Sequence, residues 1–169
     1  NTPITIQGTA YDSIGIPANS VEYALKEFDT GLWYNGSTFT ISQVEPYWLT
    51  VSNPAGVNVS WSTGPVNLQT NYRYETIARA IDSAGNISPV SVAVRFIYDI
   101  TPPVARINLP VDDLKTRSLP TISGTSADSS PGEVVTVNIK VQDMVAGSFL
   151  QPGGGWGAEV WITKVNVDT

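Results

Sequence analysis

Asp12, Asp82, Asp99 and Asp128 are the side chains best suited to holding a metal ion, because each falls where a strand is expected to end or two segments to join. A hard cation such as Ca²⁺ takes about six to eight oxygen ligands, and carboxylates together with turn carbonyls supply that kind of shell. The competing use of the same residues is local, since an aspartate in a turn accepts N–H groups of its own backbone. No Asp-x-Asp-x-Asp spacing supports the metal. Calcium is therefore the one cofactor the sequence brings forward, and both uses of the four aspartates stay open.

A second group is aromatic. Trp33, Tyr34 and Tyr47, with Trp48 beside them, could form a platform on which pyranose rings stack. The same residues serve equally to fill an apolar core, and a sugar platform requires them to be exposed in a row. Trp156 differs from them. It follows Gly153-Gly154-Gly155, so it sits on a glycine-rich tip and is expected to be an exposed contact point.

Other chemistry is thin. With no His and no Cys, imidazole acid–base work, Ser-His-Asp triads, thiolate metal sites and disulfides are all closed to this chain. Glu22, Glu27, Glu45, Glu75, Glu133 and Glu159 show no pairing that marks a glycosidase dyad. There is no Gly-x-Ser-x-Gly nucleophile elbow. The sequence therefore points away from an enzyme. Asn35-Gly36-Ser37, Asn58-Val59-Ser60 and Asn86-Ile87-Ser88 fit the N-glycosylation pattern, as an Asn- and Ser-rich chain does by chance.

The elements that must position these groups follow from composition. Hydrophobic residues make up 41% of the 169 and charged residues only 14%, against about 25% charged in ordinary globular domains. Thr, Ser, Val, Gly and Asn favour strands and turns over helices. A net charge of −6 disfavours a nucleic-acid partner. No apolar run approaches the roughly 20 residues of a membrane-spanning helix.

An internal repeat organises the strands. Thr5-Ile6-Gln7-Gly8-Thr9-Ala10-Tyr11-Asp12-Ser13 aligns with Thr121-Ile122-Ser123-Gly124-Thr125-Ser126-Ala127-Asp128-Ser129. The same offset places Val21, Tyr23 and Leu25 on Val137, Ile139 and Val141; after a short deletion, Trp48-Leu49-Thr50 meets Trp161-Ile162-Thr163. The repeat also decides an ambiguity. Asn19–Asp29 can be drawn as a helix capped by Ser20, but its counterpart from Val135 to Val141 alternates strictly, so both segments are predicted to be strands.

Period-two alternation predicts further strands at Val57-Val59-Trp61, Tyr72-Tyr74-Thr76-Ala78 and Val90-Val92-Val94-Phe96-Tyr98. Phe39-Ile41 and Trp48–Val51 make shorter ones. Turns fall at Asn35-Gly36, Asn53-Pro54-Ala55-Gly56, Thr63-Gly64-Pro65 and Asp82–Asn86. Asp99-Ile100-Thr101-Pro102-Pro103 reads as an inter-domain joint, because consecutive prolines cannot donate to a sheet and stiffen the chain. Pro110–Ser118 is a polar loop.

The order Thr101-Pro102-Pro103-Val104, then Ile122-Ser123-Gly124-Thr125 with Asp128, then Trp-bearing strands, with Ala80-Ile81-Asp82-Ser83-Ala84-Gly85-Asn86 closing the first copy, resembles bacterial immunoglobulin-like repeat domains. The resemblance covers nearly the whole chain, and its motifs are structural. It implies an all-β chain of immunoglobulin-like β-sandwich repeats: a near-complete copy over 1–100, its first strand missing or supplied in trans, and a partial copy over 101–169. It also implies a structural or adhesive role at a cell surface or in an extracellular assembly. The partners would be neighbouring repeats, other copies of the chain, or a surface glycan or protein. Copy two stops near Val167 without counterparts of Tyr72–Tyr98. Such a truncation is read as a cut from a longer array, a divergent closed domain, or an invitation to strand addition between subunits.

Overall fold

The computed structural model describes residues 3–119 and 121–164, and among them every regular element is a β-strand. The chain divides into two compact units, Asn1–Ile100 and Thr101–Thr169.

The first unit contains β1 (Gln7–Ile16), β2 (Val21–Glu27), β3 (Leu32–Tyr34), β4 (Phe39–Ile41), β5 (Leu49–Val51), β6 (Gly56–Ser62), β7 (Tyr72–Ala80) and β8 (Val94–Tyr98). All pairings are antiparallel. β1 pairs with β6 in one sheet, and a second runs β4-β3-β2-β7-β8, with β5 also on β2.

β2 organises the larger sheet. Its alternation turns Val21, Tyr23, Leu25 and Glu27 to one face and Glu22 and Lys26 to the other. The helix that Ser20 could have capped does not form. Instead the Ser20 hydroxyl donates to the Pro17 carbonyl at 2.6 Å, and Asn53 Oδ1 accepts the Ser20 and Val21 N–H groups. β7 then covers the whole length of one edge of β2, while β5 and β3 share the other.

Val21, Tyr23, Leu25, Tyr34, Val51 and Tyr74 of this sheet close on Ile16, Val59 and Trp61 of the β1–β6 sheet, with Val66 and Leu68 completing a single core. Each fully buried side chain of this kind is worth about 1.5–3 kcal/mol over exposure. Close approach has its own sequence requirement. The Trp61 indole lies over Gly8, where an added Cβ would sit 2.7 Å from Cζ2, so a side chain there would displace the ring.

The strand over Val90–Tyr98 forms only from Val94. Val90 and Val92 lie exposed, because the preceding segment meets β7 through serines: the Ala80 and Ala78 N–H groups donate to the hydroxyls of Ser88 and Ser91. Side chains thus take the place of ladder carbonyls, and the valine alternation does not become a sheet face.

The second unit contains β9 (Val104–Leu109), β10 (Ser123–Ala127), β11 (Val137–Ile139), β12 (Phe149–Leu150), β13 (Trp156–Gly157) and β14 (Ile162–Lys164). They form three antiparallel pairs, β9–β10, β11–β14 and β12–β13. None of the unit's described residues is buried. The strand expected from Val135 to Val141 shrinks to Val137–Ile139. The end of copy two near Val167 lies outside the described residues.

Pairing registers in the two units can be set side by side. On β2 and β5, Val21, Glu22 and Tyr23 face Val51, Thr50 and Leu49. On β11 and β14, Val137, Asn138 and Ile139 face Lys164, Thr163 and Ile162. These are the positions that the sequence repeat equates, residue for residue.

Candidate functional site

The long β1 strand breaks its register between Tyr11 and Ile16. Asp12 makes the break possible: its Oδ1 accepts the N–H of Ile14 at 2.8 Å and of Gly15 at 3.0 Å, and Gly15 takes φ 121°. Beyond the end of β7, Asp82 builds the next turn. Its Oδ1 accepts the N–H groups of Ala84 and Asn86, and its Oδ2 accepts the Asn86 side-chain amide, each at 2.8 Å. Those bonds, from Asn86 first, favour the charged form and hold the Asp82 carboxyl below the usual range.

Both aspartates line one open hollow of about 240 Å³, with Tyr11, Asn86, Ile87 and Ser88 among its other walls. Asp99 is not part of it; its carboxylate accepts the Thr70 hydroxyl at 3.4 Å. Asp128 belongs to the second unit, where its Oδ1 accepts the Ser129 N–H. The structure therefore joins two of the four aspartates and gives Asp12, Asp82 and Asp128 turn-forming bonds. Among the described residues, no three acidic side chains lie close enough together to surround one ion.

The aromatic candidates separate in the same way. Trp33 and Tyr34, each 4% exposed, are packed away on opposite faces of β3. Tyr34 meets Phe39 at 5.2 Å between ring centroids. The Trp33 indole donates to the Gln43 carbonyl at 3.1 Å while Lys26 Nζ covers its ring at 5.1 Å. Tyr47 is half-buried, so the row of exposed rings a sugar platform calls for is not formed by these three residues. The reason is positional: β3 lies inside the sheet between β2 and β4, and both of its faces are covered. Trp156 alone of the group stands out, 54% exposed and opposite Leu150 in the short β12–β13 hairpin.

One surface went unread in the sequence. All the Lys and Arg of the first unit, Lys26, Arg73, Arg79 and Arg95, lie on the outer face of the larger sheet. In register, Trp33, Lys26, Glu75 and Arg95 form one row across β3, β2, β7 and β8. Arg95 Nε meets Glu75 at 2.7 Å. In a second row Glu22 faces Arg79, which it meets at 2.6 Å while the guanidinium lies 4.2 Å over the Trp48 ring. Arg73 pairs with Asp29 and shares the Phe28 ring with Arg95. The Arg73 bonds hold the Asp29 carboxyl below its ordinary value.

The second unit repeats the trio of ring, cation and carboxylate: Lys140 Nζ sits 4.8 Å from the Trp161 ring and 2.7 Å from Glu159. The cross-strand offsets that create such rows depend on register, which no single segment of sequence carries. Lys26, over Trp33, and Lys140, over Trp161 and against Glu159, each have a partner in these contacts.

Glu27 is the other unforeseen residue. It is 4% exposed at the inner end of β2; Oε2 accepts the Thr30 hydroxyl at 2.5 Å, and Oε1 has no partner among the described residues. Its parity with Val21, Tyr23 and Leu25 was the signal.

No protein-family model matches the chain, and no curated protein or solved structure matches it either.

Proposed function

We propose that the chain is a tandem of immunoglobulin-like β-sandwich repeats, acting as a non-catalytic structural or adhesive module in a cell-surface or extracellular assembly and associating with copies of itself. The observation that carries this reading is the common register of β2–β5 and β11–β14, which coincides with the sequence repeat. A local duplication of sequence without duplicated structure has no reason to keep its strand pairing in step.

Two further features support the fold. The pairings β1–β6 and β2–β7–β8 are of the kind expected for the B–E and C–F–G strands of an immunoglobulin-like sandwich. Tyr74, near the start of β7, turns its hydroxyl back on the chain, donating to the Gln69 carbonyl at 3.1 Å and accepting the Gln69 N–H at 3.0 Å. A tyrosine hydroxyl bonded a few residues upstream is the corner device of such sandwiches.

The structural role is supported by where the polar side chains spend their bonds. Asp12, Asp82 and Asp143 hold turn N–H groups, and the outer cations neutralise neighbouring carboxylates. Self-association is supported by the second unit, which leaves Val104, Ile107, Val135 and Trp161 more than half exposed.

Light scattering and negative-stain microscopy of the whole chain at rising concentration, with and without Ca²⁺, test the proposal. Fibres or oligomers of defined size are expected. A monodisperse monomer at every concentration, unchanged by Ca²⁺, sinks both self-association and the metal. Trp156 supports a second reading, contact with a surface glycan, which quenching of its fluorescence by neutral oligosaccharides would establish.

A further inference from the structure

The first unit shows what normally lies against a face that the second unit leaves open. In the first unit, Val21, Tyr23 and Leu25 are buried against Val59 and Trp61 of β6 and against Val66 and Leu68 that follow it. β6 reaches them by lying antiparallel along β1, with Gly8 opposite Trp61 and Ala10 opposite Val59. The repeat equates β1 with β10, and Val21, Tyr23 and Leu25 with Val137, Ile139 and Val141. In the second unit these three residues are only half-buried. β10 pairs with β9 alone, so its other edge is unpaired among the described residues.

We propose that this open edge of β10, together with the face of Val137, Ile139 and Val141 that the repeat matches to β2, is a docking site for one extended strand of the chemistry of Gly56–Leu68. That strand has Val, Val and Trp at alternate positions and two more apolar residues after a Gly-Pro turn. The inference rests on the duplicated-sandwich reading above. The occupant's chemistry is fixed by the matched face in the first unit, where Gly56–Leu68 fills this place.

The two surfaces are compatible in charge. Neither Gly56–Leu68 nor β10 carries a charged residue, so docking strands no ion. In the first unit Gly8 leaves room for the Trp61 indole, whereas the matched Gly124 already lies against β9, where an added Cβ would meet the Arg106 carbonyl oxygen. Main-chain hydrogen bonds along β10 supply affinity, and the alternate side chains supply selectivity, as in other cases of strand addition. Transferring the β1–β6 register places Trp61 of the incoming strand opposite Gly124 and Val59 opposite Ser126.

The test uses the whole chain and a synthetic peptide of residues Pro54–Leu68. Hydrogen exchange is followed residue by residue as peptide is added. Saturable binding is expected, with exchange slowed at least tenfold at amides within Ser123–Ala127. A peptide carrying Val59→Asp and Trp61→Asp is expected to bind at least tenfold more weakly. Unchanged exchange at β10 under millimolar peptide, equal binding of the two peptides, or slowing confined to β1 (exchange into the first unit) each overturn the inference. Its failure is separable from that of the self-association reading. A chain that oligomerises yet ignores the peptide loses only the β10 site; a monomeric chain that binds the peptide keeps the site and loses self-association.

Discussion

Val21 in the first unit and Val137 in the second are the same residue at matched places in the repeat, facing matched partners on β5 and β14. Val21 is 1% exposed, while Val137 remains half-buried. Strand pairing is thus alike, and burial is not. The difference lies in what stands on the inner face: the first unit brings β6, Val66 and Leu68 over β2, whereas the described part of the second brings nothing equivalent over β11. Local alternation and cross-strand register can be set by a few residues. A core needs two sheets, and most of the stabilising area comes from the second one.

The sharpest way to break this comparison is truncation at matched sites. Leu25→Ala removes a fully buried side chain from the first core and is expected to cost about 2–5 kcal/mol, because a cavity remains as well as the lost transfer energy. Val21→Ala is expected to cost roughly 2 kcal/mol and Val137→Ala less than about 1 kcal/mol, since less area leaves contact with the protein. Urea unfolding of the whole chain, read by hydrogen exchange in each unit, gives all three values. Equal costs at Val21 and Val137 would mean that the second unit has a closed core and that the two units do not differ in burial.

How much of this was legible in the sequence depends on the kind of signal. The repeat, the strand over Val21–Glu27 and the Thr-Pro-Pro joint rest on local patterns, and the all-β character follows from them. Trp33 and Tyr34 were not resolved, because an aromatic pair in sequence has the same appearance in an exposed row as in an interior strand covered on both sides. Only the pairing of β3 between β2 and β4 decides it. The rows of Lys26, Glu75 and Arg95 were illegible for a related reason: their partners lie far apart in sequence and meet through register. Asp12 and Asp82 are legible as strand-end residues. That they share a hollow depends on the break in β1 and the turn after β7 coming to the same place. The valines at 90 and 92 misled because serine hydroxyls, not carbonyls, receive the N–H groups of β7.

Alkaline pH separates the units by a different route. Burial pushes the Tyr23 and Tyr74 hydroxyls up to about 12, from an ordinary 10.0. In the unfolded chain these groups ionise first, so the stability linked to them is full below about pH 10 and is lost as pH rises toward 12. A rise of that size is linked to about 2–3 kcal/mol for each tyrosine. The second unit contains no tyrosine, so the loss is expected only in the first. Denaturant midpoints at about pH 9 and about pH 11.5, either side of most of that loss, check this when read by exchange in each unit. Tyr23→Phe should flatten the fall, and an undiminished fall in that variant would count against buried-tyrosine linkage.

The smallest expected effect concerns the trio of ring, cation and carboxylate that both units carry. Arg79 lies over Trp48 and pairs with Glu22; Lys140 lies over Trp161 and pairs with Glu159. The Arg79 and Glu22 side chains are 24% and 20% exposed, against 31% and 59% for Lys140 and Glu159. Solvent screens the second trio more, and an exposed ion pair contributes about 0–1 kcal/mol. Replacing the cation by methionine keeps much of the apolar stem over the ring and removes the charge. Arg79→Met is therefore expected to cost about 1 kcal/mol and Lys140→Met a few tenths, with the Arg79 effect shrinking in high salt less than the Lys140 effect. A larger cost at Lys140 would show its trio to be shielded from water in the working state of the protein.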